Sequence, residues 1–218
     1  MQFYLLSSIK FNNFIVNNKS IIIFKIHQFL KMDISAILDQ IFQLPQESKK
    51  NLLLTTNLVR YPKGHIILKA GKVESSIYFI KKGIVRAYID EDNSNVTFWF
   101  GKEGETIISM KSYVENQNGY ENIELLEDCE LYELKTADLD RLFNSDIHIA
   151  NWGRKFAERE LIKTEERLIS KLFKNASERY IDLLKNNPEL IQRIQLGHIA
   201  SYLGITQVSL SRIRAELK

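Results

Sequence analysis

In three runs between Asn57 and Lys135 the apolar residues of this chain tend to recur at every second position. The runs "NLVRYPKGHIILKAG", "SSIYFIKKGIVRAYIDEDNSNVTFWFGKEGETI" and "ENIELLEDCELYELKTADL" are rich in Ile, Val, Tyr and Phe. They are cut into short pieces by Pro62, Gly64, Gly71, Gly83, the "DEDNSN" turn, Gly101 and Gly104. A period of two sends alternate side chains to opposite faces of a strand. Strands of about five residues with turn formers at such regular spacing imply an antiparallel roll or sandwich. Enzymes use that architecture as freely as binding proteins do, so the shape alone settles no function.

Both flanks switch to a helical period. Before the strands, Ile37, Leu38, Ile41, Leu44, Leu52 and Leu53 fall at helical spacings broken by Pro45, which predicts two short helices. After them a helix is expected from about Asp146 to Phe173, with Trp152, Phe156, Lys163, Leu168, Leu172 and Phe173 near one stripe. Such a helix is longer than most. It either packs on the roll as a core helix or forms a seam with a second copy of the chain. Glu158, Glu160, Glu165 and Glu166, set among Arg154, Lys155, Arg159, Lys163 and Arg167, fit a solvated face with pairs four apart.

Charge divides the chain into unlike parts. Residues 1–31 carry 4 basic and 0 acidic side chains, residues 32–150 carry 13 and 19, and residues 151–218 carry 13 and 8. An acidic module joined to a basic one is the asymmetry expected when one part meets a polyanion. The single cysteine, Cys129, excludes an internal disulfide and any cysteine-only metal or cluster site, and suits a reducing cytoplasm. In its alternating run it is expected to fill core space. Residues 1–31 are expected to be an extension outside the core fold. Their longest apolar run, Ile21 to Phe24, is too short to cross a bilayer, and the order of a secretory signal is missing. A membrane-surface amphipathic segment is the other reading.

The last residues, "LGHIASYLGITQVSLSRIRAELK", meet the separate requirements of a helix-turn-helix. Ala200 supplies a small residue where two helices cross, and Gly204 stands where the turn needs a left-handed backbone. Ile199, Leu203, Ile205, Leu210 and Ile213 occupy the inward positions, and Thr206 can cap a second helix over 206–217. Gln207, Val208 and Arg212 are candidate base readers: Gln pairs with adenine, Arg with guanine, and Val meets a thymine methyl. Thr206, Ser209, Ser211 and Arg214 are candidate contacts to the DNA backbone. The competing reading is a plain helical hairpin with a polar outside.

At this point the chain resembles a known family. "YPKGHIILKAGKVESSIYFIKKGIVRAYI" followed by "FWFGKEGETI" is similar to the cyclic-nucleotide-binding roll of the Crp/Fnr regulators, at Gly64, Gly71, Tyr78-Phe79-Ile80, Gly83, Gly104 and Glu105. The resemblance implies an α+β fold. A cyclic-nucleotide-binding-like jelly roll over 32–145 leads to a dimerisation helix over 146–173 and a helix-turn-helix domain over 174–218. It favours the seam for the long helix, with Trp152, Phe156, Lys163 and Leu168 facing a twin. Double-stranded DNA, a second copy and RNA polymerase are the partners it implies, without a membrane. Family members often add a β-hairpin wing after the reading helix; here any wing contact has to come from "RIQL" at 193–196.

The resemblance also locates the effector positions. Nucleotide-binding members place a Gly-Glu pair on the ribose and an Arg-Ser pair on the cyclic phosphate; here these fall on Ile108-Ser109 and Gly119-Tyr120. All four differ, and between Lys111 and Arg141 only Lys135 is basic. A buried phosphate needs a charge-assisted partner, so no cofactor is expected, and neither cAMP nor cGMP in the usual pose. Lys111 could reach a phosphate only from another angle. The four histidines, His27, His65, His148 and His198, lack ligand spacing, and no P-loop, nucleophile elbow or zinc motif occurs. An enzyme is therefore not expected. A transcription regulator is the leading reading, and a regulatory or scaffold module that does not bind DNA is the alternative.

Overall fold

The computed structural model describes residues 33–91 and 94–217; the expectation for residues 1–31 lies outside them. Helix α1 (Ile34–Ile41) buries Ile37, Leu38 and Ile41, and α2 (Gln46–Leu54) starts directly after Pro45. Eight strands follow: β1 (Thr56–Tyr61), β2 (Ile66–Leu68), β3 (Ser76–Lys82), β4 (Val85–Glu91), β5 (Ser94–Gly101), β6 (Thr106–Ile107), β7 (Asn122–Leu125) and β8 (Cys129–Lys135). They form two four-stranded antiparallel sheets, ordered β1-β8-β3-β6 and β2-β7-β4-β5. Tyr78, Ile80, Val85, Ala87, Ile123, Leu125 and Leu131 project between the sheets as the core. Alternate residues thus point between the sheets, while their neighbours Ile77 and Phe79 on β3 are buried on the outer face.

Two tight features fix the roll. The turn from β3 to β4 needs Gly83, whose φ is +111°, and a Cβ there would stand 2.3 Å from the Cys129 sulfur. Cys129 is buried, and burial pushes its thiol up to about 12, so it fills space and does no chemistry. Between β6 and β7 the chain makes a short helix, α3 (Met110–Glu115), closed by Asn116 in the left-handed conformation. Nothing in the alternation of the flanking runs announces this helix.

Helix α4 (Thr136–Ser145) leads into α5 (Ile147–Phe173), which Asp146 caps by accepting from the backbone N–H groups of His148 and Ile149. The structure corrects the single stripe expected on α5. Trp152 is fully buried against its own chain: its indole N–H donates to the Leu38 carbonyl at 3.0 Å, and its ring stacks on Phe156 and meets Phe79 edge-on. Lys163 lies about 20° round the helix from Trp152. It pairs with Glu160 and its charge acts on Glu105 of the same chain. Leu168, sixteen residues on, falls about 160° away. Trp152 and Phe156 therefore pack on their own chain, while Lys163 and Leu168 of the four expected seam residues are exposed. Leu161, Ile162, Leu168, Ile169, Leu172 and Phe173 are all exposed, over an arc of about 140° that includes Leu168.

The chain ends in four helices: α6 (Ala176–Asn186, opened by a capping box between Asn175 and Glu178), α7 (Pro188–Arg193), α8 (Leu196–Leu203) and α9 (Gln207–Glu216). Their apolar faces meet at Tyr180, Leu183, Leu190, Ile199, Leu203 and Leu210, and this core continues into Ile84, Phe100 and Leu126 of the roll. From Ile34 onward the chain is one compact unit.

Candidate nucleic-acid interface and effector roll

The turn between α8 and α9 is built residue by residue. Gly204 takes φ +66°, and the Ile205 N–H reaches the Ala200 carbonyl at 3.0 Å, closing α8 in the left-handed manner that glycine permits. Arg179 from α6 donates to the Leu203 carbonyl at 2.6 Å, fixing the last turn of α8 from outside. The Thr206 hydroxyl oxygen then accepts from the Ser209 N–H at 3.1 Å and starts α9.

Leu210 is fully buried and Ile213 half-buried, so α9 is held from behind. Gln207, Val208, Ser211 and Arg212 stand exposed on an arc of about 140° on the opposite side. The structure therefore brings the three candidate base readers together. The candidate backbone contacts separate. Thr206 and Ser211 are exposed, although the Ser211 hydroxyl donates to the Gln207 carbonyl. Ser209 is half-buried with its hydroxyl against that of Thr206. Arg214 is exposed but lies about 200° round from Arg212.

The segment expected to supply a wing does something else. Arg193 donates to both oxygens of Glu103 and both oxygens of Glu127, over distances of 2.6 to 3.1 Å. Ile194 is buried in the core. Residues 193 and 194 are thus spent on fixing the helical part to the roll, and a DNA contact from them is excluded while that packing holds. This clamp joins residues 66 and 90 positions apart, and no local pattern could have announced it.

The four effector positions fall into two pairs. Ser109 and Gly119 meet: a Cβ on Gly119 would stand 2.6 Å from the Ser109 hydroxyl oxygen, which is buried and has no hydrogen-bond partner. Gly119 is also tied to the β2–β3 turn, through Gly119 N–H to Lys72 O and Gly71 N–H to Gly119 O, each 2.9 Å. Ile108 is half-buried and Tyr120 is exposed, facing an outer groove shared with Met110, Lys111, Val114 and Glu115. The nearest charge to the Ser109–Gly119 contact is the buried Glu121 carboxylate. Among the described residues no Lys or Arg nitrogen bonds to Ser109, Gly119 or Glu121. An anionic phosphate at the Ser109–Gly119 contact would meet a carboxylate and no bonded cation, Lys111 lying on the outer groove, so a cyclic nucleotide in the usual pose does not fit these residues.

Among the described residues no group of three or more His, Cys, Asp or Glu is placed to hold a metal, and no helix is long and apolar enough to cross a membrane. The family model for the cyclic nucleotide-binding domain matches residues 58–146, from within β1 through β8 and α4. Residues 58–146 are thus similar to cyclic nucleotide-binding domains. Around it the chain is similar to transcription regulators. The regulatory protein Btr of Bordetella pertussis is 22% identical over 173 residues, which span 73% of this chain and 70% of that protein. A structure from Eubacterium rectale described as a transcriptional regulator of the crp/fnr family superposes with a TM-score of 0.64 at 16% identity, over 80% of this chain and 83% of that one. The c-di-GMP-responsive global regulator CLP of Xanthomonas campestris gives a TM-score of 0.60 at 18% identity, over 79% and 91%. The chain thus has the architecture of Crp/Fnr-type regulators, with the cyclic nucleotide-binding domain followed by the helical part.

Proposed function

We propose that the chain is a homodimeric, DNA-binding transcription regulator of Crp/Fnr type, reading a two-fold symmetric site with α9. The observation that carries this reading is the exposed arc of Gln207, Val208, Ser211 and Arg212 on a helix locked from behind by Leu210. In that pose Gln207, Val208 and Arg212 meet base edges near the helix N-terminus, while Thr206, Ser211 and the α9 N-terminus meet phosphates. Residues 32–145 act as the roll, 146–173 as the dimer helix and 174–218 as the reading head. The outward face of α5 supports the dimer, because six large apolar side chains on one exposed helix call for a cover and a twin supplies it with symmetry.

The cyclic nucleotide-binding domain is proposed to bind no cAMP or cGMP in the usual pose. The contact between Ser109 and Gly119, with Glu121 beside it, supports this. Contact with RNA polymerase belongs to the same reading. Selecting genomic fragments with the purified full chain, then repeating with a metabolite pool added, tests it. Enrichment of inverted half-sites about one helical turn apart supports the reading. Recovery of random fragments only, with or without metabolites, refutes it.

A further inference from the structure

Helix α8 has two working faces. Ile199, Ala200 and Leu203 point into the core of the helical part, where α9 packs. His198, Ser201 and Tyr202, spaced for the other side, lie on the roll. The Ser201 hydroxyl donates to the Asn95 carbonyl at 2.7 Å and accepts from the Thr97 N–H at 2.9 Å, satisfying the outer edge of β5, which ends its sheet. Tyr202 packs on Phe100 with ring centroids 5.3 Å apart.

Beneath this face lies a buried cation. Val85 and Ala87 point into the core of the roll, so Arg86 between them points out, yet it is only 5% exposed. Its guanidinium donates to Glu124 at 2.9 Å and to the Thr97 hydroxyl at 3.3 Å, and it lies over the Tyr88 ring.

We propose that His198 is an acid-sensitive latch: uncharged, it lets α8 lie over Arg86, and protonated, it loosens the reading head from its own roll. The charged groups that face His198 are Arg86 from β4, Glu124 from β7 and Lys63 from the turn before β2; β5 offers no charged side chain. Glu124 is already engaged by Arg86, so a second cation here meets two positive charges against one shared carboxylate. Burial, and then Arg86, hold the imidazole below its ordinary value of 6.5. The sign follows from the depressed value of a base. Docking is fully supported above 6.5 and weakens as the pH falls below it, until the docked imidazole is itself protonated. The other clamp stays intact over this range, because Arg193 and Gly83 hold the Glu103 carboxyl below its ordinary 4.5 against the effect of burial.

Hydrogen–deuterium exchange on the full chain tests the latch without DNA. Between pH 7.5 and 5.5, after correction for intrinsic rates, protection of the Thr97 amide should fall by a factor of roughly three or more. Amides paired between β4 and β7 should keep theirs. His198→Gln, which cannot charge, should retain Thr97 protection at pH 5.5. Equal loss in His198→Gln, or no loss in the native chain, overturns the proposal. So does an NMR titration of His198 in the native chain with its midpoint at or above 6.5, a readout that does not depend on the variant folding. Because none of these measurements involves DNA, their failure leaves the proposed DNA reading standing, and the failure of that reading leaves the latch standing.

Discussion

Arg193 donates to both oxygens of Glu103, Nη1 to Oε2 at 3.1 Å and Nη2 to Oε1 at 2.7 Å, across 90 residues of chain. Glu103 sits at the base of the β5–β6 turn with its side chain only 7% exposed, and its Oε1 also accepts from the Gly83 N–H at 2.9 Å. The same guanidinium grips Glu127 with two further bonds. One side chain at the end of α7 therefore holds two corners of the roll.

Removing that side chain strands a buried carboxylate. Arg193→Ala should cost about 2–5 kcal/mol in urea denaturation, and adding Glu103→Gln should recover part of the loss because an amide needs no counter-ion. The contribution should also fade in acid. Glu103 is held below 4.5 in the folded protein, so the stability it confers is present above 4.5 and lost as the pH falls below that. Arg193→Ala should flatten that slope.

Trp152 gives a second stability test. Trp152→Ala empties a fully buried site and should cost about 3–5 kcal/mol. Trp152→Phe keeps a ring but leaves the Leu38 carbonyl without its donor. It should cost about 1–3 kcal/mol. Neither change touches the outward face of α5, so sedimentation should report the same oligomeric state for any folded fraction.

The closed contact at the effector positions can be probed by coupling. Gly119→Ala alone drives a methyl group to within 2.6 Å of the Ser109 oxygen and should destabilise by about 1–3 kcal/mol. In a Ser109→Ala background the cost should shrink, since the clashing atom is gone. Calorimetry with cAMP should show no heat in either the native chain or the double variant, because neither supplies a cation.

Much of this was legible from residues alone, and the reasons differ by element. The roll was visible because short β-branched and aromatic runs cut by turn formers mark strands, and because turns such as that at Gly83 admit few residues. The helix-turn-helix was visible because Ala200, Gly204, Thr206 and Leu210 each answer a separate local demand. The facing of α5 was not. A helix packed on its own domain at one end and open at the other carries two apolar stripes, and a list of apolar positions merges them. Trp152 and Leu168 look alike in sequence and lie on opposite sides in the fold. The Arg193 clamp and the seating of α8 on β5 through Ser201 were hidden for another reason: each joins segments far apart in the chain, where side-chain identity gives no hint of a partner.

The outward stripe of α5 leads to a prediction about assembly. Leu168→Glu places a charge amid Leu161, Leu172 and Ile169, where a twin helix would have to bury it. Analytical ultracentrifugation should show a dimer for the native chain and a monomer for the variant, with unchanged circular dichroism because Leu168 is exposed in the single chain. Binding to a symmetric duplex should weaken in step with the loss of the dimer.

The central test is whether Arg212 reads a base. Affinity should be measured for the native dimer and for Arg212→Ala against a selected symmetric duplex and its single-base-pair variants, over a range of salt. The expected result is a steep linear fall of log affinity with log salt for both proteins, with Arg212→Ala losing about 1–3 kcal/mol of discrimination at one base pair per half-site and little elsewhere. No binding by the native dimer at low ionic strength, or an equal loss on every duplex, would contradict the assignment of α9 as the reading helix.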